Sequence, residues 1–172
     1  MHKENIVRVA FILSYVANLV LAMLSLVILP DRVAIHFGPG GMPDNWAPSY
    51  VNSLLFLGMD TLLFLSLYFS PRLVFIFPAS WVNLPNRQFW LDPENRDRAV
   101  RKISALMCQF GVAIFLFLFG TQILTIQANL SAPARLNESL LFTFLVLFLG
   151  YLTVWCVVFF RSFRLPDKSD LA

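Results

Sequence analysis

Ile6–Leu29 reads IVRVAFILSYVANLVLAMLSLVIL, 24 residues in which Arg8 is the only charge. At 1.5 Å rise per residue, about 20 apolar residues cross the hydrocarbon core of a bilayer. Lys3 and Arg8 ahead of an apolar run also suit a secretory signal. The apolar region of such a signal is only about 7–15 residues long, ahead of a small-residue cleavage site. This run exceeds that length, and it predicts a transmembrane helix.

Three further apolar runs follow: Val51–Phe69, closed by Ser70-Pro71-Arg72, then Ile103 to about Gln127, then Leu140–Phe160. Of the 172 residues, 58% are hydrophobic and 13% charged, against about a quarter charged in soluble domains. The apolar residues come in blocks separated by short polar connectors, which is the pattern of a membrane protein. The expected fold is an all-α membrane protein, a four-transmembrane-helix bundle forming a single integral membrane domain over residues 1–172. Its spans are about 6–29, 51–69, 103–127 and 140–160. The outer loops are 30–50 and 128–139, and the cytoplasmic connector is 70–102.

Of the thirteen Lys and Arg residues, only Arg32 and Arg135 fall in the loops 30–50 and 128–139. The other eleven lie in the N-terminal segment (Lys3, Arg8), the connector (Arg72, Arg87, Arg96, Arg98, Arg101, Lys102) and the C-terminal segment (Arg161, Arg164, Lys168). Basic residues in short loops stay cytoplasmic, which puts both termini and the connector inside. The net charge of +3 therefore reports topology, and no nucleic-acid partner is expected. Cys108 and Cys156 lie deep in apolar runs, read as small hydrophobes, and form neither a disulfide framework nor a CxxC metal site. The sequons Asn129-Leu130-Ser131 and Asn137-Glu138-Ser139 are read as chance tripeptides.

The connector carries LVFIFPASWVNLPNRQFW at residues 73–90. Pro78 and Pro85 prevent one continuous helix, and the aromatic content is too high for a solvated loop. A segment lying along the inner headgroup layer is expected, with a plug under the bundle as the alternative. Asp92-Pro93-Glu94 reads as a helix start, with Asp92 as N-cap and Pro93 in the first turn. One long helix from about Pro93 to Gln127 is expected, with Glu94–Arg98 and Asp97–Arg101 as i,i+4 ion pairs. The basic cluster Arg96, Arg98, Arg101 and Lys102 is either a contact with anionic lipid or a topology signal alone.

The first outer loop reads LPDRVAIHFGPGGMPDNWAPSY, Leu29 to Tyr50. Val33, Ile35 and Phe37 alternate with Ala34 and His36, a short extended strand by period. Gly38-Pro39-Gly40-Gly41 must turn, Pro43-Asp44 makes a second turn, and Trp46 belongs at the outer interface. The order Leu29, Pro30, Val33, His36, Phe37, a glycine-rich turn, then Gly41, Pro43, Asp44 and Trp46 resembles domain-of-unknown-function family 1648. That is the outer-loop module of SdpI-like bacterial membrane proteins. The run NLPNRQFWL, Asn83 to Leu91, resembles a segment that follows the module in stand-alone members, so the likeness covers about residues 6–102. It implies a bacterial inner (plasma) membrane protein and, through the SdpI branch, toxin immunity or signalling. It implies no reaction, and the further spans that SdpI-type proteins carry are not recognised in this chain.

Four residues stand out as candidates: His36, Asp44, Trp46 and Asp60. His36 and Asp44 share one loop and are expected to hydrogen-bond and stiffen it. As a metal site they fall short of the three protein ligands typical of catalytic zinc, with Glu138 as the conceivable third group. Asp60 lies near the middle of span two, where a carboxylate costs about 2.5–3.5 kcal/mol on insertion scales and seeks an interior partner. Gln109, Thr121 and Gln122 on span three and Asn18 on span one are the candidates. Asp60 is read as a proton relay or a polar helix–helix contact with a partner subunit, with neutralisation by protonation as the alternative. Gly38–Gly41 is no phosphate loop, since no GK[ST] follows. No enzymatic activity, cofactor or metal is expected. The expected role is binding, as an accessory subunit of a larger membrane complex or as a small sensor or immunity-type protein, in contact with the lipid bilayer and with other membrane subunits or its own copies. A small transporter or homo-oligomeric pore component is the alternative.

Overall fold

The computed structural model describes residues 2–165; Met1 and residues 166–172, Lys168 of the basic count among them, lie outside the described part. Four helices are long and apolar enough to cross a membrane. They are α1 (His2–Ile28), α2 (Ser49–Leu73), α4 (Arg96–Leu130) and α5 (Glu138–Ser162), with a short α3 (Arg87–Trp90) in the connector. Between α1 and α2 stand two strands, β1 (Arg32–Phe37) and β2 (Pro43–Pro48), paired antiparallel. The strand at 32–37 matches the alternation. The second strand replaces the expected turn at Pro43-Asp44, because pairing with β1 recruits residues whose own propensity is low.

Helices α1, α2 and α4 pack on one another, while α5 leans chiefly on α4. The three-helix core centres on Phe11, Phe115 and Leu118. Phe11 stacks on Phe64 at 5.0 Å between ring centroids, and Tyr15 stacks on Phe64 at 4.2 Å. Gly111 permits this closeness, since a Cβ there would overlap the Phe11 ring. By contrast, none of the residues of α5 is buried. The four spans are thus a packed trio with a fourth helix on its flank.

Two boundaries differ from the sequence reading. Helix α2 runs through Ser70-Pro71 to Leu73 instead of closing before them. Proline so near a helix end removes a single backbone bond, and the turn is finished by Val74 N–H donating to Ser70 O at 3.2 Å. Helix α4 starts after a 3-10 turn, Pro93–Asn95, in which the Asp92 carboxylate accepts from Glu94 N–H as expected of a cap. It continues to Leu130. The ion pairs Glu94–Arg98 and Asp97–Arg101 do not form: among the described residues the only ion pair within 4 Å is His36–Asp44.

Of the two expected placements of the connector, the packing bears out the plug. In the connector's second half Leu84 and Trp90 are buried against Ala99, Ile103, Leu106 and Phe163. Asn86 holds a left-handed φ of 51° at the start of α3, a conformation asparagine tolerates. Asn86 Nδ2 and Trp90 Nε1 both donate to the Phe163 carbonyl, at 2.8 and 3.0 Å, tying α3 to the end of α5. The first half stays outside, with Ile76 and Trp81 exposed.

Candidate functional site

The hairpin between α1 and α2 is the first site. Its register sets Val33 opposite Ala47 and Ala34 opposite Trp46, with an irregularity between Ala34 and Phe37. The turn closes by Gly38 N–H donating to Met42 O at 2.8 Å. Gly40 and Gly41 take φ of 75° and 70°, which glycine adopts without a side-chain penalty.

Three ties join the hairpin to the end of α4 and the loop after it. Asn129, in the last turn of α4, accepts from Ala34 N–H through Oδ1 at 2.6 Å and donates from Nδ2 to Ala34 O at 3.0 Å. Its side-chain amide thereby substitutes for a neighbouring strand. Leu136 N–H donates to Gly41 O at 2.9 Å, and Arg135 Nε donates to Gly40 O at 3.0 Å, joining the two outer loops. A Cβ on Gly41 would collide with the Leu136 carbonyl. On this braced surface His36 Nδ1 donates to Asp44 Oδ1 at 2.6 Å, with the side chains 68% and 52% exposed. Nε2 has no partner among the described residues and remains for an outside group. Trp46 is 41% exposed on β2. Glu138 does not join the pair, and no group of three His, Cys, Asp or Glu residues with metal-holding geometry occurs among the described residues.

The second site is a polar knot inside the three-helix core. Asp60, Asn18 and Gln122 are all buried. Gln122 Nε2 donates to Asp60 Oδ2 at 3.1 Å and to Asn18 Oδ1 at 3.2 Å. Asn18 Nδ2 in turn donates to Phe115 O at 2.9 Å and Ser14 O at 2.8 Å. One carboxylate, one carboxamide and one amide thus join α2, α4 and α1. Asp60 Oδ1 is buried and has no hydrogen-bond partner among the described residues. Of the four partners expected for Asp60, Gln122 is the direct one and Asn18 stands one bond further on. Thr121 donates instead to Leu118 O on its own helix, and Gln109 faces outward.

Sequence reasoning missed three further polar links between α1 and α2: Ser25 to Ser53 at 2.7 Å, Tyr15 to Thr61 at 3.0 Å, and Arg8 to the Tyr68 hydroxyl. Hydroxyls interrupting apolar runs were the available signal. It missed Asn129 and Asn137 as well, which the sequon reading passed over. Asn137 Oδ1 caps α5 by accepting from Leu140 N–H at 3.1 Å.

The basic cluster sits on aromatic rings. Arg96 lies 5.1 Å from the Phe75 centroid, Arg98 5.6 Å and Lys102 4.3 Å from that of Trp90. Lys102 Nζ also donates to Ser162 O at 2.6 Å, so it serves the plug; Arg101 remains exposed.

Residues 13–59, from within α1 through the hairpin into α2, match the model of a family described as Domain of unknown function (DUF1648). The match takes in His36, Asp44 and Trp46 and stops one residue short of Asp60; the Asn83–Leu91 run lies outside it. No curated protein and no solved structure matches the chain.

Proposed function

We propose that this chain is a non-enzymatic integral membrane protein that works by binding, with the braced outer hairpin as its recognition surface. The observation that carries the reading is the His36–Asp44 pair held exposed on a hairpin tied at Asn129, Leu136 and Arg135. A surface ordered in advance loses less entropy when a partner docks. The pair offers a ring nitrogen and a carboxylate to a polar group, with Trp46 as an apolar neighbour. This suits a small sensor or immunity-type protein of the SdpI-like kind, in a bacterial inner membrane with both termini cytoplasmic. The resemblance of the module and the distribution of Lys and Arg support that placement.

A second reading, an accessory subunit of a larger membrane complex, is favoured by α5. Its side turned away from α4, with Phe142, Val146, Leu147 and Val154 exposed, is free for neighbouring helices. The filling of the three-helix core by stacked rings around Phe11 speaks against a pathway through a single copy.

The test is co-purification from gently solubilised native membranes through a C-terminal tag, read by mass spectrometry. Binding through the hairpin predicts that His36→Ala and Asp44→Asn each lose a partner that the wild type retains. Arg32→Ala, on the same hairpin but outside the pair, keeps it. Equal recovery in all four samples removes the pair as the recognition element.

A further inference from the structure

On the connector side of the molecule two depressions share one wall. The first, of about 490 Å³, opens between the ends of α2 and α4 and is lined by Leu73, Val74, Phe77, Trp81, Ile103 and Met107. The second is lined by Asn83, Asn86, Arg87 and Gln88, with Leu165 at its edge. Val82, Asn83 and Leu84 belong to both, so an apolar half runs directly into a polar one.

The polar half is rich in unused donors. Among the described residues Arg87 reaches only the Ser80 carbonyl, at a long 3.3 Å, and forms no ion pair. The side chains of Asn83 and Gln88 are exposed and have no hydrogen-bond partner among the described residues. Among the described residues no carboxylate lines either half. The apolar half opens beside Leu73, exposed at the end of α2, and beside Trp81, exposed in the connector. Tryptophan at the edge of an apolar surface marks the headgroup level of a bilayer.

We infer that this amphipathic groove binds one anionic phospholipid from the leaflet on the connector side. Its phosphate sits among Arg87, Asn83 and Gln88, and an acyl chain lies along Leu73, Phe77 and Met107. Three features of the groove select that occupant: positive charge with no countercharge among the described residues, donors suited to phosphate oxygens, and an apolar trough opening into the membrane. A free phosphate would leave the trough unused, and a zwitterionic lipid would bring a cationic group against Arg87.

The experiment uses the full chain in nanodiscs of equal phosphatidylglycerol and phosphatidylcholine, released into native mass spectrometry. The expected result is one phosphatidylglycerol retained per chain in preference to phosphatidylcholine. Arg87→Gln should lower that retention about fivefold, the share of one basic residue near an anionic surface. Leu73→Trp, which fills the trough from an exposed position, should lower it with the thermal unfolding midpoint unchanged. Equal retention of the two lipids, or retention untouched by both variants, overturns the proposal. So does displacement of the lipid by glycerol 3-phosphate alone, which would make the site one for free phosphate.

Discussion

Asp60 shows what a single side chain does when a bilayer, not water, surrounds the helices. Its carboxylate is held by Gln122, and its second oxygen is left without a donor. An isosteric amide keeps the acceptor for Gln122 Nε2, whereas a hydrocarbon removes it and strands a buried N–H, at a cost of about 1–3 kcal/mol. Interhelical hydrogen bonds in membranes average about 0.6 kcal/mol, so the milder change is correspondingly small. Asp60→Asn should therefore unfold in detergent micelles within about 1 kcal/mol of wild type, and Asp60→Leu should lose about 1–3 kcal/mol. Wild-type stability for Asp60→Leu would show that the knot contributes nothing to assembly. The carboxylate itself was legible, because one charge in an apolar run needs an interior partner. Which partner was not, since Thr121 and Gln122 differ by about 100° around the helix and rotation is set by packing against α1 and α2.

At the level of elements, apolar length determined the four helices, and the errors fell where the ends meet something else. Proline after Phe69 reads as a stop, yet α2 absorbs Pro71 because its last turn needs few backbone bonds. Strand β2 has poor intrinsic strand residues and exists because β1 lies beside it. Asn129 was hidden behind the sequon pattern, although its position at the end of α4 places its amide against Ala34. Replacing it with alanine removes both bonds, each worth about 0.5–1.5 kcal/mol net. Asn129→Ala should thus free the Ala34 amide to exchange with deuterium at least about fivefold faster, with α1 and α2 unaffected. Unchanged protection at Ala34 would mean the remaining ties alone hold the hairpin.

For the whole molecule, orientation rests on the uneven distribution of Lys and Arg, and the structure gathers those residues physically. Arg8 at the start of α1 donates to the Tyr68 hydroxyl near the end of α2, on the same face as the connector and its basic cluster. Single cysteines should report the two faces. With Cys108 and Cys156 replaced by alanine, Asn45→Cys in the hairpin should react with an impermeant maleimide on intact cells. Ser80→Cys should react only after the membrane is opened. The reverse pattern would invert the topology. How the two outer loops dock was not legible, because the bonds of Leu136 and Arg135 to the glycine turn join residues about 95 positions apart. Nor was the position of α5 outside the core, since its apolar residues surround the helix and mark no buried face.

Helix α4 has 35 residues, about 52 Å at 1.5 Å each, while the hydrocarbon core is about 30 Å thick. Its outer end is stitched to β1 through Asn129, and its inner end carries Ala99 and Ile103 into the aromatic plug. Between them it bears on α1 where Phe11 rests on Gly111. A rigid tilt of α4 about that contact would carry its hairpin end and its plug end in opposite directions, as a lever does about its pivot.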